Sequence, residues 1–427
     1  MRLLYALTTY LLVPLMLVHL YWRSLSNPDY RQRILERFGF GQVRLANDSI
    51  WVHAVSVGEV QAAAALITEL MQRYPDVPVV LTTMTPTGSA RARALFGDRV
   101  IHNYLPYDMT WVVRRFLNWA RPGIAIVMET ELWPNLYHEC GRRDIPLVLA
   151  SARVSQKSVR HYRRLVSLFK ETLSHGIVIA AQTEADAERF RQLGASPERT
   201  HVTGNIKFDF ALPEQVEARG QYFRKQQAPD RPVWIAASTH AGEEAAVIEV
   251  HQQVLRMLPD ALLLWVPRHP ERFPAVAAQL EKAGLTFVTR SSAARCTPVT
   301  HVFLGDSMGE LTMFYAASDV AFVAGSLIPV GGHNLLEPAA LGIASLTGPY
   351  NFNAVDIAEL LEQAGAVEAV ADQTQLARRL IDLLADPVEH RRRGDAGRNT
   401  VMRGRGALER LLRLLEPLLD EVVKRPV

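Results

Sequence analysis

The sequence has very few cysteines, only Cys140 and Cys296 among 427 residues. Neither belongs to a Cys-x-x-Cys or other metal-like pair, so the pattern argues against a disulfide framework and is typical of a reducing compartment. The excess of charge is also small, at +3, and no aromatic–basic RNA signature accompanies it. The composition therefore gives no support for a nucleic-acid partner.

Metal-ligand patterns are missing as well. No Asp-x-Asp occurs in the chain, and no His, Asp or Glu cluster has the spacing of a metal site. This argues against a nucleotide diphosphate held by a metal clamp, whereas a nucleotide monophosphate donor would need less charge neutralisation. We therefore expect no metal and no cofactor.

The first segment of the chain, residues 3–22, contains no Asp, Glu, Lys or Arg. It is long enough to cross a bilayer as one helix, in which Pro14 would be tolerated. A cleaved signal peptide and a buried or interfacial helix are the alternatives, but no small-residue cleavage site follows. Several arginines come after the segment, so we expect a single-pass anchor with the rest of the chain on the cytoplasmic side.

From residue 50 onward, short apolar runs alternate with helical stretches such as 61–73, 109–118 and 184–192. Such alternation predicts an α/β fold of βαβ units with parallel sheets. The predicted strands are 50–55, 78–82, 100–104, 123–128, 147–151 and 177–181, and then 233–237, 261–266, 299–304, 320–324, 343–346 and 367–370.

A polar interval with several prolines, 213–232, separates two series of strands and helices. A chain of this length favours two domains, so we predict a first Rossmann-like domain at 23–212 and a second at 213–427. The last helix, with leucines at helical spacing, could pack back on the first domain. Two such domains facing a cleft would bind ligands beyond the carboxyl ends of their strands.

Glu59 opens a helix directly after the first strand, in the sequence Ser-Val-Gly-Glu. One interpretation is an ordinary first-turn glutamate, whose pKa would stay low beside the helix N-terminus. The other interpretation is a general base facing the cleft.

Two further loops of the first half carry charged residues. Glu129 stands at a strand end, where a carboxylate is a poor strand former and needs a partner, so a functional role is favoured. Glu131 has the position of a first-turn helix residue. Lys207 could reach a phosphate, or it could be a linker lysine paired with Asp209.

The strand-end loops of the second half carry glycine, acids and bases. Ser238–His240 precede a helix and could be simple capping residues. Arg268, at a strand end, suits a phosphate or carboxylate fork. The Gly-rich loop 325–337 ends at a helix start, where N–H groups can bind an anion without a metal.

A cluster of basic residues follows the fifth predicted strand. It is either a solvated helix face or a surface for anionic lipid or a phosphorylated lipid acceptor. Its members are Arg153, Lys157, Arg160, Arg163, Arg164 and Lys170.

Seven segments, in this order and spacing, are together similar to the bacterial 3-deoxy-D-manno-octulosonic acid (Kdo) transferase family of lipopolysaccharide synthesis. They are HAVSVGE at 53–59, ETELWPN at 129–135, GNIKFD at 204–209, STHAGEE at 238–244, VPRHPERF at 266–273, GDSMGEL at 305–311 and GGHNLLEPAALG at 331–342. The resemblance begins at the N-terminal segment and weakens after about Glu337.

The resemblance implies a GT-B fold and an inverting transfer of Kdo from CMP-Kdo to the lipid A precursor (lipid IVA) at the bacterial inner membrane. It implies that Glu59 is the proton acceptor and that Glu129 and Lys207 stabilise the transition state. It places the contacts to CMP on Pro267, Arg268, Met308, Gly309, Glu310, Asn334, Leu335, Leu336 and Glu337. The implied partners are CMP-Kdo, the lipid A precursor and inner membrane lipids.

Two other functions fit the same pattern. One is a GT-B transferase that uses another nucleotide sugar, such as a UDP-sugar, and competition between CMP and UDP would separate the two. The other is a membrane-tethered lipid or scaffold module whose fold no longer catalyses, since a fold does not fix a function.

Overall fold

The computed structural model describes residues 2–41, 44–156, 158–159 and 176–424. The chain divides into two compact units, one formed by Met1–Phe210 with Gly404–Val427 and the other by Ala211–Arg403. The end of the chain thus belongs to the first unit.

Each unit is built on a parallel sheet, and the predicted strands are all found. The strands of the first sheet are β1 Ser49–His53, β2 Val79–Thr83, β3 Ile101–Tyr104, β4 Pro122–Met128, β5 Leu147–Ala152, β6 Val178–Ala181 and β7 Thr200–Val202. Those of the second sheet are β8 Val233–Thr239, β9 Leu262–Pro267, β10 Phe287–Thr289, β11 Val302–Leu304, β12 Val320–Val323, β13 Ala344–Thr347 and β14 Val367–Ala369.

The described helices surround these sheets. They are α1 Arg2–Leu11, α2 Val13–Ser26, α3 Ile34–Arg37, α4 Val57–Arg73, α5 Pro86–Phe96, α6 Thr110–Ala120, α7 Pro134–Gly141, α8 Glu184–Gln192, α9 Val216–Gln227, α10 Glu244–Met257, α11 Phe273–Lys282, α12 Leu311–Ala316, α13 Leu336–Ala340, α14 Val355–Gln363, α15 Gln373–Ala385, α16 Pro387–Gly404 and α17 Ala407–Lys424. Short 3-10 turns lie at Pro28–Arg31, Gly97–Arg99, Pro197–Arg199, Ile206–Phe208 and Pro270–Arg272.

The order of the strands gives each sheet one switch point. The first sheet runs β3-β2-β1-β4-β5-β6-β7, and the second runs β10-β11-β9-β8-β12-β13-β14. The chain moves outward from β1 in one direction and from β4 in the other. In the second sheet the switch point lies between β8 and β12, and on the β8 side β10 forms the edge with β11 between it and β9. In open parallel sheets, ligands bind beyond the carboxyl ends of the strands at such a reversal.

The central strands are mostly apolar because both faces of each sheet are covered, and the polar residues of β1 and β8 lie at the strand ends. All residues of β1, β4, β8 and β12 are buried. The two strands that the sequence does not predict, β7 and β10, are three residues long and lie at sheet edges. Edge strands this short carry too little periodic apolar pattern to be recognised.

The N-terminal segment is bent by 46° between α1 and α2. Pro14, in the first turn of α2, has no N–H to continue the helix hydrogen bonds across the break. Among the described helices, none alone has the length and apolar character of a membrane span, whereas Leu4–Leu11 and Val13–Leu25 meet that test as a pair. The prediction of one spanning helix over 3–22 is therefore not confirmed.

The last helix, α17, is amphipathic and closes the core of the first unit. Leu411, Leu415 and Leu419 are buried in the same cluster as Ile126 of β4. Asp209 fixes the start of this helix, because its carboxylate accepts hydrogen bonds from two backbone N–H groups, those of Gly406 and Leu408, at 2.6 and 2.5 Å.

Candidate active site

Glu59 lies in the first turn of α4, directly beyond the carboxyl end of β1. Its Oε2 accepts a hydrogen bond from the Val55 N–H at 2.8 Å. Burial raises the pKa of Glu59 to about 7; the Val55 hydrogen bond opposes this, and the negative charges of Glu129 and Glu131 add to it. The low pKa expected from the helix N-terminus is therefore wrong, because loss of hydration outweighs the field of the helix.

Glu129 comes one residue after β4 and adopts a left-handed backbone conformation, with φ of 57°. A non-glycine residue in this region costs about 1 kcal/mol or more, and such strain is concentrated at functional sites. The carboxylate joins two cations, since Oε1 lies 2.7 Å from Lys207 Nζ and Oε2 accepts from Arg153 Nε at 3.2 Å. The partner that the sequence requires for Glu129 is therefore a pair of basic residues.

Lys207 is held in the first unit by this ion pair, and its side chain is 19% exposed. The alternative pairing with Asp209 is not observed, because the Asp209 carboxylate is occupied by the start of α17. Glu59, Glu129 and Lys207 thus come together at the switch point between β1 and β4.

Glu131 lies in the loop between β4 and α7, because the helix begins only at Pro134. The assignment of Glu131 to the first helical turn is therefore wrong. Burial raises the pKa of its carboxyl group, and the charge of Glu129 adds to this effect. The Tyr137 hydroxyl donates to the Glu131 carbonyl and fastens the loop to α7.

Asp108, which the sequence does not single out, anchors the start of α7. Its carboxylate accepts hydrogen bonds from the N–H groups of Asn135 and Leu136, at 3.1 and 2.8 Å, and from the Tyr5 hydroxyl of α1, at 2.8 Å. Burial raises the pKa of Asp108 to about 6. The acidic loop before α7 is therefore fixed at its far end by a buried carboxylate, and α1 is tied to the same group.

The switch point of the second unit carries imidazoles in place of carboxylates. His240 follows β8, His269 follows β9, and His333 lies in the loop after β12. The Nε2 atoms of His240 and His333 are 2.8 Å apart, and the ring centroids of His240 and His269 are separated by 5.2 Å. Arg268 lies close enough that its charge contributes to lowering the pKa of both His240 and His333.

Glu243, in the motif STHAGEE, has a structural role. It is fully buried, and its carboxylate accepts hydrogen bonds from backbone N–H groups on both sides of the switch point. The donors are His240, Gly325, Ser326 and Leu327, at 3.1, 2.8, 3.0 and 3.0 Å. Glu243 therefore joins the loop after β8 to the loop after β12.

The predicted CMP contacts of the second unit differ in accessibility. Pro267 is the buried last residue of β9, whereas Arg268 is exposed, and its guanidinium makes no hydrogen bond or ion pair with another described residue. Met308 and Gly309 are exposed. The carboxylate of Glu310 accepts two hydrogen bonds from the guanidinium of Arg290, from Nε and Nη2, both at 2.9 Å. This interaction lowers the pKa of Glu310.

Asn334 and Leu335 directly precede a helix of five residues, α13, and Leu336 and Glu337 are the first two residues of that helix. Asn334 is exposed; its Oδ1 accepts from the Leu336 N–H at 3.0 Å and its Nδ2 donates to Glu337 Oε1 at 3.0 Å. Leu335 and Leu336 are buried, so only their backbone groups are available to a ligand. Burial raises the pKa of Glu337.

Among the described residues, no group of three or more His, Cys, Asp or Glu side chains could hold a metal ion. The predicted basic cluster is represented by Arg153 alone, because Lys157, Arg160, Arg163, Arg164 and Lys170 lie outside the described residues.

Comparisons with known proteins agree with this architecture. A family model described as 3-deoxy-D-manno-octulosonic-acid transferase (kdotransferase) matches residues 32–210. The chain is 43% identical over 413 residues to the 3-deoxy-D-manno-octulosonic acid transferase of Haemophilus influenzae, covering 96% of this chain and 97% of that protein. It is 39% identical over 379 residues to the Bordetella pertussis protein of the same name, covering 87% of each.

Among solved structures, the crystal structure of Acinetobacter baumannii MurG matches with a TM-score of 0.53 at 13% identity, over 87% of this chain and 99% of that one. At that identity the match supports the fold alone, a GT-B-like arrangement of two parallel α/β sheets. The sequence relatives go further, because their identity extends over nearly the whole chain. The chain therefore belongs to the 3-deoxy-D-manno-octulosonic acid transferase family of glycosyltransferases.

Proposed function

We propose that this chain transfers Kdo from CMP-Kdo to a hydroxyl group of the lipid A precursor lipid IVA, with inversion at the anomeric carbon and release of CMP. The observation that carries the proposal is Glu59, which is buried beyond the end of β1 near Glu129 and Glu131. Burial and the charges of these two carboxylates raise its pKa to about 7, although the Val55 N–H and the charge of Lys207 oppose the shift. A carboxylate with this pKa is matched to removing a proton from a hydroxyl near neutral pH.

In the proposed reaction, the acceptor oxygen forms a bond to the anomeric carbon as the bond from that carbon to the phosphate oxygen breaks. The acceptor proton moves to the Glu59 carboxylate, and the electron pair of the breaking bond leaves with CMP. Attack from the face opposite the phosphate inverts the anomeric centre. Holding the base and the two reactants in place supplies much of the rate enhancement.

Glu129 and Lys207 are proposed to stabilise the transition state as one ionic group with Arg153. The three side chains are already in contact, and the Glu129 side chain is only 12% exposed. Charges fixed in advance do not reorganise when charge moves during the reaction, which is why such groups are effective catalysts.

The second unit is proposed to bind the nucleotide. Arg268 has no competing ion pair among the described residues, so its guanidinium is available to the phosphate. The exposed loop at Met308 and Gly309, together with Asn334 and the backbone of the next residues, would hold the cytidine. Glu310 is proposed to act through its backbone, because Arg290 occupies its carboxylate.

The proposed acceptor is a lipid, and we propose that α1 and α2 attach the chain to the cytoplasmic side of the inner membrane. Leu4, Leu11, Leu15, Val18 and Trp22 are exposed along this bent pair. Exposed apolar side chains in such a row favour a membrane surface or interior, and the arginines that follow favour the cytoplasmic side.

The test is incubation of the purified full chain with CMP-Kdo and lipid IVA in the presence of EDTA, followed by mass spectrometry of the lipid. We expect a mass increase of one or more Kdo units, together with CMP release. In parallel, CMP should compete for donor binding and UDP should not. Failure of transfer with tight CMP binding would contradict the assignment of the acceptor or the sugar, and preference for UDP would contradict the assignment of the donor.

A further inference from the structure

The imidazole pair at the switch point of the second unit is built into the fold. His240 and His333 stand on loops after neighbouring strands, β8 and β12, and their rings are nearly parallel, with 4° between the planes. Gly325 lies directly against His333, because a Cβ at this glycine would be 2.8 Å from Cδ2 of the imidazole. A larger residue at position 325 would displace the imidazole ring, so the position of His333 depends on the glycine there.

The two Nε2 atoms are 2.8 Å apart, so one hydrogen bond joins them and only one proton lies between them. One nitrogen must carry the hydrogen and the other must accept it, so the neutral pair shares a single proton between the Nε2 atoms. Neither Nδ1 is hydrogen-bonded to another described residue. The pair can therefore take up one more proton at an Nδ1 and become a cation without losing its mutual hydrogen bond.

Burial and the neighbouring basic residues favour the neutral form of the His240–His333 pair when no anion is bound. Burial lowers the pKa of His333 to about 4, and His240, Arg268 and His269 contribute in the same direction. Burial also lowers the pKa of His240; His269 and Arg268 add to this, whereas Glu243 and Glu244 oppose it. An anion bound beside the imidazoles would offset the repulsion from Arg268 and favour the protonated pair.

The proposed sugar donor, CMP-Kdo, carries two negatively charged groups on one carbon. In an activated octulosonic acid, the anomeric carbon carries both the carboxylate and the phosphodiester of the nucleotide. Arg268 can balance one of these charges, and the second needs another cation, because an unpaired charge removed from water is unfavourable. Among the described residues, no group of three or more His, Cys, Asp or Glu side chains could hold a metal ion for this purpose.

We propose that His240 and His333 form the subsite for the donor carboxylate and that they take up one proton from solvent when the donor binds, while Arg268 binds the phosphate. This inference rests on the proposed function and adds the group that distinguishes an acidic sugar from a neutral one. A donor without the carboxylate would leave the imidazole pair neutral and without a bound anion.

The test compares two phosphodiesters by calorimetry with the full chain and no acceptor. One is CMP-Kdo and the other is the methyl ester of CMP, which has the phosphodiester but no carboxylate. Titration in two buffers of different ionisation enthalpy gives the number of protons taken up. The variant is His333→Asn, and the control is His201→Asn, an exposed histidine of β7 in the first unit.

For the unaltered chain and for His201→Asn, we expect uptake of about one proton with CMP-Kdo near pH 7 and none with the methyl ester. For His333→Asn, affinity for CMP-Kdo should fall roughly tenfold, as for loss of a charge-assisted hydrogen bond, while affinity for the methyl ester stays the same. Unchanged proton uptake in the variant, or an equal loss for both ligands, would overturn the carboxylate subsite. Binding of the methyl ester without any binding of CMP-Kdo to the unaltered chain would instead overturn the proposed function.

Discussion

At the switch point of the first unit, Glu59 and Glu129 lie just beyond the two central strands, and at that of the second unit the residues in this place are His240 and His333. Both sheets have a switch point between their two central strands, yet one site gathers carboxylates and the other gathers imidazoles beside Arg268. The fold therefore provides the place, whereas the residue types at the strand ends decide the chemistry. An acidic site suits the removal of an acceptor proton, and a basic site suits an anionic donor.

The two sites are also fixed in a similar way, each by a buried carboxylate that accepts backbone hydrogen bonds. In the first unit, Asp108 accepts from the N–H groups of Asn135 and Leu136 at the start of α7. In the second unit, Glu243 accepts from four N–H groups of the two switch-point loops. These carboxylates stabilise the loops and are separate from the groups to which we assign chemistry.

The largest effect is expected for Glu59→Gln, which keeps the shape of the side chain and removes the base. Transfer should fall by about 10²–10⁴, the usual contribution of a general base, while CMP affinity stays unchanged. Glu69→Gln, at a partly exposed position of the same helix, is the matched control. Similar transfer rates in the two variants would contradict the role of Glu59.

The same substitution should change stability in a direction set by the raised pKa. A carboxyl group whose pKa is higher in the folded state stabilises the fold at low pH, and this contribution is lost as the pH rises from its unfolded value of 4.5 through about 7. Glu59→Gln should therefore be more stable than the unaltered chain at pH 8, by on the order of 2 kcal/mol, and equal to it at pH 4. Thermal unfolding at both pH values measures the difference.

The next effect concerns the cation that holds Glu129. Lys207→Met should lower transfer by about 10², because a fixed charge at the reacting centre is lost, with little change in CMP affinity. Lys225→Met, an exposed lysine of α9, is the control for loss of a positive charge. If Lys207→Met instead lost CMP affinity and kept its transfer rate, Lys207 would be assigned to nucleotide binding and its role at the reacting centre would be contradicted.

Glu243→Gln tests whether the second site depends on its buried carboxylate. The NH₂ group of the glutamine side chain would face a backbone N–H, and both groups are hydrogen-bond donors. At least one backbone N–H would therefore be left without an acceptor. We expect a loss of about 1–3 kcal/mol in the free energy of unfolding, measured by denaturant titration. Glu249→Gln, on an exposed part of α10, should change it by less than about 0.5 kcal/mol. Equal stabilities would contradict the role of Glu243 in joining the loops.

The smallest expected effect is electrostatic. The charge of Glu131 contributes to the raised pKa of Glu59, so Glu131→Gln should shift the acidic limb of the pH–rate profile to lower pH. Glu188→Gln, an exposed residue of α8, should leave the limb in place. A shift to higher pH would contradict the proximity of the two carboxylates.

The sequence predicts the parallel sheets and the strand-end loops because buried strands and helices differ in periodicity. It also places Glu59 and Glu129 at strand ends. It does not predict the pKa of Glu59, which depends on how closely other carboxylates pack around it. The contacts between Tyr5 and Asp108, and between His240 and His333, join residues 103 and 93 positions apart, and no local pattern indicates them.

The most direct test of the central claim is the pH dependence of Kdo transfer by the unaltered chain, with saturating CMP-Kdo and lipid A precursor. Because Glu59 must lose its proton before it can accept another, the rate should rise tenfold for each pH unit below about pH 7 and level off above it. A rate that is independent of pH between about pH 5 and pH 9 would contradict the assignment of Glu59 as the base of the reaction.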